Sequence, residues 1–166
     1  MRLFFPAPGA QTAEVARWVA ERIPAMNGNE KPFGHCSAIG VLDRDGNPAA
    51  GVIYHDYVPE YDTMGLSMAA SSARWATKGI VLALLHYPFR QVQPRPIYRL
   101  WTLTAESNER ALRFNKGVGF VREATLAHHF GKRKHAVICR MLRPDYETLR
   151  RRWGAKAPAD SRALAA

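Results

Sequence analysis

The sequence predicts a single-domain α/β layer structure: a mixed, mostly antiparallel central sheet flanked by helices. Three observations carry that expectation. Hydrophobic patterning switches between period two and period 3.6 in the order β-α-β-β-β-α-β-α-β-β. Two strand-like runs, 37–42 and 49–57, flank Asp43-Arg44-Asp45-Gly46-Asn47, a strong hairpin turn. The chain has 166 residues, enough for one core, whereas two independent domains would each be small.

The opening Met1-Arg2-Leu3-Phe4-Phe5-Pro6-Ala7 is too short in apolar residues for the hydrophobic region of a signal peptide, and residues 2–5 read as a first strand. Thr12 is placed to cap a helix whose apolar positions Val15, Trp18, Val19 and Ile23 fall at helical spacing, with Glu14 in the favourable first turn. Pro24 closes it. Residues 25–35, rich in Gly, Asn and Pro, predict a loop that shapes a site or covers an edge. After the hairpin, the turn Pro59-Glu60-Tyr61-Asp62 leads into a strand over 64–70. A second helix carries Ile80, Val81, Leu84 and Leu85, and Pro88 ends or kinks it. Strands follow at 97–104, 120–126 and 136–142, with a helix over 108–118. The domain is expected to span 1–150, and 151–166 to be a basic, then Ala-rich tail that frays after about residue 154.

Hydrophobic residues make up 47% of the chain, as in an ordinary globular protein, and no apolar run approaches the roughly 18 residues of a membrane helix. The net charge of +10, from 24 Lys and Arg against 14 Asp and Glu, favours polyanionic partners: nucleic acid, an acidic surface or a phosphate-rich ligand. Much of the excess sits in Lys132-Arg133-Lys134 and Arg150-Arg151-Arg152. Cys36 and Cys139 lie in apolar-leaning runs without metal spacing, which fits reduced thiols and a cytoplasmic location. His128, His129 and His135 have no ligand spacing either, and no metal is expected.

The segment Ser107 to Phe120 is the most specific. Ser107 is placed to accept from a first-turn N–H, Ala111, Phe114 and Val118 form an apolar stripe, and Gly119 suits the left-handed conformation that stops a helix. The arrangement Asn108-x-x-Ala111-x-x-Phe114-x-x-x-x-Gly119-Phe120 resembles the C-terminal half of the GNAT superfamily of N-acetyltransferases, which move an acetyl group from acetyl-coenzyme A to an amine. The element order is also theirs, so the resemblance covers roughly residues 2–145. It implies the acyl-CoA N-acyltransferase fold. The form Ala73-Arg74-Trp75-Ala76-Thr77-Lys78, followed by His86-Tyr87-Pro88-Phe89, is similar to a branch of phages and prophages related to ribosomal-protein acetyltransferases.

Residues 74–79 lie between a strand end and a helix start, where free backbone N–H groups and a helix dipole make an anion site. The family places Gln/Arg-x-x-Gly-x-Gly/Ala there, around the coenzyme A pyrophosphate; here Arg74 and Gly79 match and Thr77 replaces the middle glycine. The resemblance therefore implies acetyl-coenzyme A as co-substrate, held by Ser67, Met68, Ala69, Ala70, Arg74, Trp75, Ala76, Thr77, Lys78, Gly79, Asn108 and Phe114. Backbone N–H groups near 67–70 would polarise the thioester carbonyl.

The family's usual acid and base do not carry over. Asn115 stands where many relatives have a tyrosine that protonates the departing thiolate, and Leu103 where some have a glutamate base. His55, Asp56, Glu60, Asp62 and Glu106 remain as titratable candidates, each reading better as a turn or strand-edge residue, and no catalytic residue is assigned. The expected activity is direct transfer of acetyl to a primary amine in a ternary complex. The rival is a catalytically silent module on the same fold, its basic face engaging nucleic acid or an acidic partner.

Overall fold

The protein is described from a computed structural model covering residues 1–154; the Ala-rich tail expected beyond that point lies outside the described residues. The elements run in the expected order, with one helix added at the end. They are β1 (Arg2–Phe4), α1 (Ala10–Ala20), β2 (Ser37–Leu42), β3 (Pro48–Val58), β4 (Thr63–Ala70) and α2 (Lys78–His86). Then follow β5 (Arg99–Ala105), α3 (Glu109–Gly117), β6 (Val121–Leu126), β7 (Ala136–Leu142) and α4 (Arg143–Arg152). The strands form one sheet in the order β1-β2-β3-β4-β5-β7-β6. Neighbours are antiparallel except β4 and β5, which are parallel.

Several ends differ from the sequence reading, each for a local reason. Thr12 lies inside α1 and does not cap it; Gly9, at φ 92°, holds the cap position, and the Thr12 hydroxyl reaches back to the Ala7 carbonyl at 3.1 Å. At α3 the cap is Asn108, not Ser107: its Oδ1 accepts from the Ala111 N–H at 3.1 Å. Regular α2 ends at His86, just before Pro88. That proline sits at the start of a π-helical turn, Tyr87–Gln91, that continues α2. The last helix, α4, was hidden by composition, because Tyr146 and Leu149 are its only buried positions among charged neighbours. Its start is marked by Pro144 in the first turn and by the Asp145 carboxylate, which accepts the Leu142 N–H at 2.9 Å.

The sheet divides the molecule. On one face, Val52, Tyr54, Met64, Leu66, Leu100 and Met141 join residues of α2 and α4 in the main core. On the other, α1 covers only the β1–β4 half, burying Ala16, Val19 and Ala20 against Ala38 and Ile53. Helix α4 packs back on the segment that follows α2, across the main-core face. Its Tyr146 ring stacks on Phe89 with centroids 4.9 Å apart, its Tyr146 hydroxyl lies 3.1 Å from His86 Nδ1, and Glu147 pairs with Arg90.

Burial depresses the His86 imidazole, with the cations Arg90 and Arg150 adding to the effect and Glu147 opposing it. Below the ordinary histidine range the unfolded chain therefore binds the proton more readily than the fold does. The His86 contribution is intact above about pH 6.5 and is lost as pH falls through that range. In melting curves from pH 7.5 to 5.5, the wild type should lose ground relative to His86→Gln. A gap that does not change with pH would remove His86 from the account.

Candidate active site at the parting of two strands

The ladder between β4 and β5 holds three residue pairs, Thr63 with Arg99, Met64 with Leu100 and Gly65 with Trp101. Beyond Gly65 the two parallel strands part. Leu66 is still buried, but Ser67, Met68 and Ala69 are half-exposed and Ala70 is exposed. The strands open a wedge, and the β4 backbone along its wall has lost its ladder with β5.

On the main-core face the wedge is bounded by the loop leading into α2. Its residues Ala73–Trp75 form a short 3-10 turn, and Thr77 caps α2 by accepting from the Ile80 N–H at 3.4 Å. Arg74, Thr77, Lys78 and Gly79 are exposed, and Ala76 is half-exposed. A Cβ built on Gly79 meets no atom within 4 Å, so space lies open beside the helix start. Trp75 turns inward instead. It is 4% exposed and packs on Phe114 of α3, ring centroids 5.6 Å apart, bridging the two sides of the wedge. Asn108 spends its side-chain oxygen on the α3 cap.

The opposite face carries a cluster that the sequence reading had placed among turn and edge residues. His55 lies within β3, 8% exposed. Its Nδ1 is 2.8 Å from Asp56 Oδ2 and its Nε2 is 2.9 Å from Ser67 Oγ. A carboxylate only accepts, so Nδ1 carries the proton, and in the neutral ring Nε2 then accepts from the serine hydroxyl. The result is a carboxylate–imidazole–hydroxyl chain ending at the wedge.

Three features build this chain. Neighbouring residues of a strand normally face opposite ways, yet Asp56 and His55 share a face. The reason is an irregularity in the β3–β4 register between His55 and Val58, with Asp56 in the left-handed region at φ 49°. Next, the imidazole lies over Gly65, where a Cβ would fall 2.6 Å from His55 Cε1, 2.8 Å from His55 Nδ1 and 2.9 Å from Trp101 Cζ2. Finally, the ring is walled by Phe33 on one side and the edge of Trp101 on the other, both at 5.6 Å between centroids. Phe33 comes from the 25–35 loop, which thus shapes the site.

The other titratable candidates are held elsewhere. Asp62 pairs with Arg95 at 2.8 Å and Glu106 with Arg122 at 3.3 Å, while Glu60 is exposed in the turn before β4. Asn115 does not open to the wedge as a tyrosine substitute. It is 7% exposed and donates to Thr104 Oγ1 at 3.2 Å. Leu103 lines a shallow hollow of about 300 Å³ with Thr63, Arg99, Trp101, Leu126 and Ile138, on the part of the sheet that α1 leaves uncovered. Arg99 there makes a two-point pair with Glu123, and that bond holds the Glu123 carboxyl below the usual range. Cys36 and Cys139 are free thiols, both pushed up by burial. Among the described residues no group of three or more His, Cys, Asp or Glu is arranged to hold a metal, and no helix is long and apolar enough to cross a membrane.

No protein-family model and no curated protein matches the chain. Solved structures do. A chimera of the spermidine N-acetyltransferase SpeG from Vibrio cholerae and hSSAT superposes with a TM-score of 0.68, at 13% identity, over 89% of this chain and 99% of that one. The Vibrio cholerae spermidine/spermine N-acetyltransferase SpeG in complex with manganese ions gives 0.62, at 15% identity, over 89% and 96%. The chain has the acetyltransferase fold. Within that fold the parted strands, the capped start of α2 and the bridge from Trp75 to Phe114 occupy one region, while the His55 chain reaches the same wedge from the other face.

Proposed function

We propose that the protein is an N-acetyltransferase that moves an acetyl group from acetyl-coenzyme A to a primary amine by direct transfer. The observation that carries this reading is the parting of β4 and β5 after three residue pairs, which leaves an opening between the sheet's two faces. The donor's pyrophosphate is assigned to residues 74–79, where the N–H groups of α2 and the side chains of Arg74 and Lys78 offer positive charge. The β4 backbone over 67–70 is assigned the thioester carbonyl, and the amine approaches from the His55 side. Holding both reactants at one opening supplies the proximity that a bimolecular acyl transfer lacks in solution.

The hollow beside Trp101 supports an acceptor with an apolar body. Its lining residues include no carboxylate, and its cation Arg99 is committed to Glu123. Spermidine still belongs in the screen, since the structural neighbours are named for it. A placement among phage acetyltransferases rests on the 73–78 and 86–89 segments alone. Arg150, Arg151 and Arg152 fall in the last turn of α4, where cations suit the helix terminus, which weighs against a dedicated nucleic-acid face.

Calorimetric titration with acetyl-coenzyme A, followed by mass-spectrometric screening of amines, peptides and spermidine, tests the reading. Saturable binding and an acetylated product are expected. Absence of binding would leave a non-catalytic module on the same fold.

A further inference from the structure

We propose that Ser67, His55 and Asp56 form the proton relay of the transfer, with Ser67 Oγ as the group that meets the amine and His55 as the proton's destination. The inference rests on the N-acetyltransferase reading and supplies the base that Leu103 does not.

The geometry carries the argument. Ser67 lies on β4 two residues beyond Gly65, the last residue paired with β5, so its hydroxyl stands where the wedge begins. It is half-exposed, whereas His55 behind it is 8% exposed. An amine in the opening therefore meets the hydroxyl and not the ring. Behind the hydroxyl the chain is continuous, 2.9 Å to Nε2 and 2.8 Å from Nδ1 to Asp56. A buried histidine with only a packing role needs one partner and no distortion. Here a left-handed Asp56 and a register irregularity put a carboxylate behind the ring, and a glycine on the next strand makes room for it. Left-handed backbone at a non-glycine residue carries a cost that the surrounding fold must sustain.

The step balances. The amine nitrogen's lone pair forms the C–N bond with the acetyl carbon, and the C–S bond breaks with its electron pair on the coenzyme A thiolate. The proton lost by nitrogen passes to Ser67 Oγ as that hydroxyl's own proton passes to His55 Nε2. The imidazolium, stabilised by the Asp56 carboxylate, then returns its Nε2 proton through the Ser67 hydroxyl to the thiolate or to solvent. No covalent enzyme intermediate forms. Asp56 is a positioning residue: it fixes the tautomer that leaves Nε2 free to accept.

The test follows thiol release from acetyl-coenzyme A with phenethylamine and with spermidine as amine probes, for wild type, His55→Gln, Ser67→Ala and the double variant. General base loss is worth about 10²–10⁴-fold. His55→Gln should fall in that range, Ser67→Ala should lose at least about tenfold, and the double variant should be no slower than the slower single, as expected for groups acting as a unit. The deficit of His55→Gln should shrink at least about tenfold between pH 7 and 9.5, because hydroxide then becomes abundant enough to take the nitrogen's proton in place of the imidazole. A merely structural role predicts a deficit independent of pH. Rates within about threefold of wild type in both single variants, a constant deficit, or no release by the wild type with either probe each overturn the proposal. Acetyl-coenzyme A titrations on the same preparations tell the failures apart. A wild type that does not bind the donor sinks the acetyltransferase reading as well, whereas normal binding and turnover with unaffected variants sinks the relay alone.

Discussion

Gly65→Ala should lower the rate of acetyl transfer by at least about 100-fold while leaving acetyl-coenzyme A affinity within about twofold of wild type. The added methyl would stand 2.6 Å from His55 Cε1 and 2.9 Å from Trp101 Cζ2, well inside van der Waals contact. Neither ring has an easy escape. His55 is bonded at both nitrogens and walled by Phe33, and Trp101 abuts it edge-on. The imidazole must tilt away from Ser67, and a relay displaced by even an ångström loses most of its contribution. Overpacking should also cost about 1–3 kcal/mol of stability. The loop 74–79, proposed for the donor's pyrophosphate, lies on the other face and should keep its geometry. Steady-state rates alongside calorimetry test this, and a variant with full activity would show that His55 need not lie over Gly65.

Gly79→Val produces the complementary effect. It should weaken acetyl-coenzyme A binding at least about tenfold and leave the fold as stable as before or slightly more so. In the protein alone a Cβ at this position touches nothing, and valine is a better helix former than glycine. Any loss of affinity must then come from the side chain meeting the donor's phosphates and blocking approach to the first N–H groups of α2. Unchanged affinity with unchanged melting temperature would move the pyrophosphate away from residues 74–79.

The two glycines illustrate what was legible in the sequence. Gly79 stood out through the resemblance of Arg74-x-x-Thr77-x-Gly79, at a strand-to-helix junction, to the acetyltransferase family's loop. The element order was equally readable, since each strand and helix from β1 to β7 declares its own period and the turns at 43–47 and 59–62 punctuate them. Gly65 announced nothing, because its role is set by a ring ten residues earlier on β3 and another 36 residues later on β5. His55 was misjudged for the same reason. Its burial comes from Phe33 and Trp101, and its alignment with Asp56 depends on a left-handed residue that nothing in Tyr54-His55-Asp56-Tyr57 signals. Helix α4 was missed because its buried positions are too few among arginines and glutamates to register as a stripe.

The three-pair join of β4 to β5 leaves the middle of a seven-stranded sheet as its thinnest seam. Such a seam would ordinarily let the two halves hinge, widening or closing the opening with every thermal fluctuation. The brace comes from the far end of the chain. Helix α4 follows β7, which belongs to the C-terminal half, and its Tyr146 and Glu147 grip Phe89, His86 and Arg90, on the connection that leads from α2 to β5. The gap is therefore propped on one side of the sheet by a strut on the other, much as a rigid frame holds a doorway. Loosening that strut should then widen or narrow the opening without altering any residue that lines it.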